Sequence, residues 1–291
     1  MPRLLVFNGT PQALESGLVA QGSKPYETLL RDSLEPHRPD GCEIELFSLR
    51  VADGETFPQG MGLGDFDGVW ISGSPLNAYV LDQPSVREQI ALARAVWDAG
   101  LPTFGSCWGL QVMTAALGGT VHLNPAGREI GVARRIAPTE AGRGHAMFRG
   151  KGPAFDALCT HEDEVASLPP GATVLASNAV SRVQAAVIED GERRFWGVQY
   201  HPEFTFATVA AILALRTEMV VKEGFAQSAD DAAAIVADWR ALEADPGRKD
   251  LAWKHGVGGD FLDPAQRTVE FGNWLREDVL PFAARRGAGQ R

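Results

Sequence analysis

The chain is poor in cysteine: Cys42, Cys107 and Cys159 are three thiols in 291 residues, too few for a disulfide framework and odd in number. That usage is expected of a reducing compartment, where a cysteine is either packing or a reactive thiol. No apolar run approaches the roughly 18–20 residues that a membrane helix needs, and Asn8 and Gly9 break the opening MPRLLVFNG before it reaches signal-peptide length. A cytoplasmic location and no membrane partner are therefore expected. Positive charge is in deficit, with 27 Lys and Arg against 37 Asp and Glu and a net charge of −10. Such a surface repels phosphate backbones, so no nucleic acid partner is expected. The six histidines are scattered without ligand spacing, and no metal site is expected. No G-x-x-x-x-G-K-[ST] loop and no SGGVDS-like segment is present, so the chain is not expected to activate an acceptor or hold a cofactor.

What is present alternates. Residues 3–7, RLLVF, form a continuous apolar run that suits a buried parallel strand. Helical spacing follows over 24–34, alternation over 43–49, and a third strand, VWIS, after Asp67-Gly68. Ser85 is placed to cap a helix ending at Gly100; LPTFGS then reads as a strand and CWGLQVMTAAL as a helix stopped by Gly118-Gly119. Strands and helices in this order predict an α/β fold: an open, mostly parallel sheet with helices on both faces. Residues 120–200 turn β-rich, with Asp190-Gly191 as a hairpin signal. Beyond His201, helices are predicted over 205–221, 228–243 and 264–280, the last capped by Asp263 with Pro264 as its first residue. The expected division is an α/β unit over 1–222 and a helical C-terminal extension over 223–291 packed on it.

The chemistry concentrates in Phe104-Gly105-Ser106-Cys107-Trp108-Gly109-Leu110-Gln111, a strand, a tight turn and a helix with a cysteine at the turn. Such an elbow lifts one side chain clear of the carboxyl edge of a sheet. The helix N-terminus favours a thiolate and offers N–H groups to an oxyanion. A thiolate needs a proton shuttle for its leaving amine. Gly197-Val198-Gln199-Tyr200-His201-Pro202-Glu203 supplies an imidazole at another strand end, with a carboxylate two residues on to orient it. Cys107 and His201 are expected to meet within hydrogen-bonding reach over one pocket. A lone Cys or a lone His-Pro is ordinary packing or a turn; their joint occurrence carries the reading.

These segments resemble the class I (triad) glutamine amidotransferases. GSCWGLQ is similar to that family's G-x-C-x-G-x-Q motif and GVQYHPE to its G-x-Q-[FY]-H-P-E motif. Between them, ISGSP (71–75) resembles the oxyanion strand, while REIG (128–131), THEDEV (160–165) and ASNAVSRVQAAVIEDGERRFWGVQYHPE resemble the GMP-synthetase branch, which includes stand-alone γ-glutamyl peptidase-like members. The resemblance spans roughly 3–215 and implies a flavodoxin-like fold. It implies Cys107 as nucleophile, His201 as general base and acid, and Glu203 as the orienting carboxylate. The oxyanion would be held by the backbone N–H groups of Ser74 and Trp108. Gln111 would bind substrate from its side chain, and the backbone around Thr160, Glu162 and Asp163 would grip the amino-acid end of a glutamyl group. Two departures matter: Ser74 replaces a usual Gly, and Glu162 replaces a Gly common in glutamine-specific members.

The implied reaction is cleavage of the γ-amide of glutamine, or of another γ-glutamyl amide, through a thioester. The partners to expect are that small molecule, a possible synthase subunit and a possible second copy of the chain. A stand-alone γ-glutamyl hydrolase and a catalytically silent scaffold are the competing readings. His161 is read as a structural histidine, Cys42 and Cys159 as packing, and Trp239, Trp253 and Trp274 as core anchors or, equally, marks of a subunit interface. Lys24-Pro25-Tyr26 is expected to border the site.

Overall fold

A computed structural model of the protein describes residues 1–289. The strands run β1 (Arg3–Asn8), β2 (Glu45–Arg50), β3 (Gly68–Ile71), β4 (Thr103–Ser106), β5 (Thr120–Leu123) and β6 (Glu129–Pro138). They continue with β7 (Phe155–His161), β8 (Asp163–Ser167), β9 (Ala172–Ser177), β10 (Ala185–Asp190) and β11 (Arg193–Val198). Nine of them form one sheet in the order β2-β1-β3-β4-β11-β10-β9-β6-β7, and β5 pairs with β8 in a small second sheet. The first five in that order pair in parallel, and from β11 onward every pairing is antiparallel. The fold is thus the expected open, mostly parallel sheet.

Helices α1 (Gln12–Ala20), α2 (Tyr26–Leu34), α3 (Pro84–Asp98) and α4 (Trp108–Ala116) belong to the parallel half. The side-chain period of two divides them between the faces. Leu4 and Val6 of β1 join Trp70, Phe104 and the α2 residues Leu29 and Leu30 in one core. Leu5 and Phe7 turn the other way, into a core with Val86, Val96, Trp108 and Leu110 of α3 and α4.

After the short α5 (Glu140–Gly144) and the last strand come α6 (Phe206–Leu215), α7 (Thr217–Lys222), α8 (Ala229–Ala244) and α9 (Lys249–Lys254), then α10 (Pro264–Arg267), α11 (Val269–Trp274) and α12 (Leu280–Gly289). Helix α11 reaches under the centre of the sheet. Phe271 stacks its ring centroid 4.6 Å from that of Phe104 and 5.9 Å from Trp70, and Trp274 is fully buried beside them. No helix among the described residues is long and apolar enough to cross a membrane.

Several local expectations are corrected. Helix α3 starts at Pro84 after Gln83 with no side-chain cap, so Ser85 lies inside it; a proline in the first turn lacks only a donor that would be unpaired anyway. The run 205–221 breaks at Arg216, where the Thr217 hydroxyl bonds the Ala214 carbonyl at 3.1 Å. The run 264–280 is three segments with a π turn over Leu275–Val279. Helix α1, with Gly17 in its middle, was not expected. Its Glu15 carboxylate is buried and takes bonds from Asn8 Nδ2, the Tyr26 N–H and Arg50, so tertiary contacts hold a helix of modest propensity. Trp253 is 86% exposed and anchors nothing, and Cys42 is half-exposed and not packed in a strand.

Phe271→Ala is expected to destabilise the whole chain by about 3–5 kcal/mol, because it opens a cavity beneath Trp70 and Phe104. A single cooperative denaturant transition shifted to lower midpoint is the expected result; an unshifted midpoint would contradict this packing.

Candidate active site

Cys107 stands where β4 passes into α4, with φ 51° and ψ −99°, a conformation that L side chains rarely adopt. Two contacts hold it there. Its N–H donates to the Val198 carbonyl of β11 at 2.7 Å. One turn on, α4 presses against β3 so closely that a Cβ on Gly109 would lie 2.4 Å from the Ile71 carbonyl oxygen. The thiol is 5% exposed and lines a cavity of about 210 Å³ at the carboxyl ends of β3, β4 and β11. Ser74, Gln111, Thr160, Glu162, Asp163 and His201 line the same cavity.

The imidazole is fixed on three sides. His201 Nδ1 lies 2.6 Å from Glu203 Oε1, and both residues are 2% exposed. Phe204 stacks on one ring face at a centroid distance of 3.7 Å. On the other side is Gly73, where a Cβ would stand 2.6 Å from Cε1. Nε2 is buried and has no partner among the described residues. The Cys107 thiol donates instead to the Thr160 carbonyl at 3.6 Å and accepts from Gln199 Nε2 at 3.4 Å. The two groups thus face one cavity, as expected, but no hydrogen bond joins them.

The expected thiolate is also corrected. Burial, then the Glu203 carboxylate, push the Cys107 thiol up to about 12; the Trp108 N–H and Gln199 pull the other way and lose. A dry site penalises the charged form more than one helix N-terminus favours it.

Ser74 keeps a backbone free of positive φ, so its serine side chain is accommodated without strain. Its N–H makes no hydrogen bond among the described residues. The Trp108 indole is buried away from the cavity, donating to Gln89 at 2.8 Å. Gln111 is tied down: Nε2 donates to the Asp163 carbonyl and to Gln199 Oε1, both at 3.3 Å. Glu162 lines the cavity with its carboxylate taken by Arg128, which also bonds Glu223 at 2.9 Å. The Asp163 carboxylate accepts from Asn77 at 2.7 Å and Tyr79 at 3.2 Å; burial raises its pKa. His161 is braced between the Asp163 carbonyl (3.0 Å) and Glu129 (2.9 Å), which is a positioning geometry. Of Lys24-Pro25-Tyr26, Tyr26 lines the cavity, while Lys24 and Pro25 are not in its lining.

Sequence reasoning missed Gln199, Arg128, Arg216, Asn77 and Tyr79. Gln199 lies inside the histidine motif and was legible there. Arg128, Arg216 and Asn77 reach the cavity, and Tyr79 reaches Asp163, only through tertiary packing.

The family model for class I glutamine amidotransferase matches residues 30–215. A γ-glutamyl-L-1-hydroxyisopropylamide hydrolase of a Pseudomonas species is 30% identical over 98% of this chain and 95% of its own. A glutamine-hydrolysing GMP synthase of Nitrosomonas eutropha is 39% identical over 147 residues, 47% of this chain but 25% of that one. Among solved structures, a glutamine amidotransferase from Thermotoga maritima matches at a TM-score of 0.63 with 18% identity, over 94% of this chain and 98% of that one. Another, from Methylobacillus flagellatus, matches at 0.61 with 21% identity over 94% of each chain. At these identities the two structures speak to the fold. The chain belongs to the class I glutamine amidotransferase family.

Two outcomes are expected of this geometry. A thiol raised to about 12 is protonated at neutral pH, and its thiolate fraction grows tenfold per pH unit. Inactivation by iodoacetamide should therefore accelerate steadily between about pH 6 and 9, and a plateau near neutrality would contradict the raised thiol. Gly73→Ala should lower kcat/KM by about 100-fold or more with an unchanged circular dichroism spectrum, since the clamped imidazole has nowhere to move.

Proposed function

We propose that the chain is a stand-alone hydrolase of γ-glutamyl amides, acting through a thioester on Cys107. The observation that carries this is the similarity to a γ-glutamyl amide hydrolase along 98% of the chain, extension included, together with a cavity that joins thiol and imidazole. His201 Nε2 takes the thiol proton as Sγ attacks the γ-carbonyl carbon. The oxyanion receives the N–H groups of Ser74 and Trp108, and Glu203 holds the imidazolium. His201 then protonates the departing amine as the C–N bond breaks. A water, deprotonated by the same nitrogen, adds to the thioester and releases glutamate and the free thiol. Gln111 and the backbone around Thr160, Glu162 and Asp163 shape the glutamyl end, Gln111 by bracing that loop.

The wall on the α1 and α6 side favours an alkylamine over ammonia as leaving group. Leu14, Leu18, Ile212 and Leu215 line it beside Tyr26 and Phe204. Apolar surface of this kind is wasted on ammonia, while each methylene it covers adds to transition-state binding. The extension over 223–291, whose residues Gln290 and Arg291 lie outside the described ones, is proposed as a buttress of the 1–222 unit. Its buried Phe271 and Trp274 support that role. The second reading, ammonia supply to a synthase partner, rests on the GMP synthase similarity, which covers less than half of this chain.

A panel of γ-glutamyl alkylamides and glutamine decides between them. The alkylamides should exceed glutamine in kcat/KM by at least ~10-fold; a preference for glutamine would return the chain to ammonia supply. Cys107→Ala should abolish turnover, by ~10⁴-fold or more, and Glu203→Gln should cost less because it disturbs orientation alone.

A further inference from the structure

The charged groups around the cavity are nearly all matched. Glu162 is held by Arg128, Asp163 by Asn77 and Tyr79, and Glu203 by His201. Arg128 has both Glu162 and Glu223. Apart from the Ser74 N–H and the buried Glu203 Oε2, the open positions among the described residues include two on basic side chains. One is His201 Nε2, which the reaction uses. The other is the guanidinium of Arg216, which lines the cavity, is half-buried and makes neither a hydrogen bond nor an ion pair among the described residues.

Arg216 is also where local sequence logic fails. The stretch from Phe206 to Lys222 has no proline or glycine, yet its helix breaks at this residue, with φ −121° and ψ 26°. The Thr217 hydroxyl, bonded to the Ala214 carbonyl at 3.1 Å, accompanies the break, which falls at a residue that lines the cavity.

Resting on the hydrolase reading, we propose that Arg216 is the receptor for the α-carboxylate of the γ-glutamyl group and thereby selects glutamyl amides over other amides. An arginine fork matches a carboxylate in two parallel bonds, and a half-buried fork with no resident anion is complementary to one that arrives with substrate. Burial and neighbouring Arg128 already press the guanidinium's pKa down, a strain that an incoming carboxylate relieves. Arg128 and Glu162, the charges acting on it most strongly, line the same cavity. The other carboxylate that could serve is one on the leaving amine, and the test separates the two.

Arg216→Gln and Arg216→Lys are compared with the wild-type chain on a γ-glutamyl alkylamide and on the matching 4-aminobutyryl alkylamide, which lacks only the α-carboxylate. Arg216→Gln should raise KM for the glutamyl substrate by about 10- to 100-fold with little change in kcat, and leave the 4-aminobutyryl compound unaffected. Arg216→Lys should recover part of the loss. Equal losses on both compounds, or an unchanged KM, would overturn the assignment. So would a greater loss on γ-glutamylglycine than on γ-glutamyl ethylamide, since that would give the arginine to the leaving amine. A second readout does not need turnover. Millimolar L-glutamate should raise the Tm of the wild-type chain and not that of Arg216→Gln, whose own Tm should equal or exceed wild type because an unpaired half-buried charge has been removed. If none of the amides is cleaved by the wild-type chain, the hydrolase reading falls. The glutamate shift then still decides: lost in the variant it supports the assignment, while absent in wild type or equal in both it overturns it.

Discussion

The approach of α4 to β3 constrains the rest of the site. With Gly109 against the Ile71 carbonyl and the Cys107 N–H bonded to Val198, the chain cannot leave β4 except through the strained bend at Cys107. A residue in such a region costs about 1–3 kcal/mol, and it persists because strands on both sides over-determine it. The bend is what puts a sulfur at the sheet's carboxyl edge, between the turn that carries Ser74 and the turn that carries His201.

The same enclosure sets the electrostatics. Burial holds the Cys107 thiol toward its neutral form, and the proton acceptor proposed for it is a buried imidazole whose Nε2 has no partner among the described residues. A neutral thiol avoids the desolvation penalty of a resting ion pair. Charge then develops only as bonds change, where fixed donors are worth most. Clamping the imidazole between Phe204 and Gly73, with Glu203 on Nδ1, fixes the orientation that the proposed proton transfers would use.

Much of this was legible before any coordinates. The alternation of apolar runs with helical spacing led to the parallel half of the sheet, because those strands are buried on both faces and read as unbroken hydrophobic stretches. Cys107, His201 and Glu203 stood out because tight turns and the chemistry of amide cleavage demand those residue types. Other features were not legible. Helix α1 depends on the buried Glu15 node, which draws on residues from β1, α2 and β2. The strands β7 and β8 around Glu162 are held by partners distant in the chain. The thiol's resting state depends on how much water its surroundings exclude.

The sequence by itself determined the fold class, the family and the residues able to do the chemistry, since strand burial, turn sterics and the needs of a thioester are local or compositional matters. Only the tertiary structure decided which charges are paired, which way the thiol points and which arginine is left open to a ligand. Those depend on distances between elements far apart in the chain and on a dielectric that exists only once they have packed.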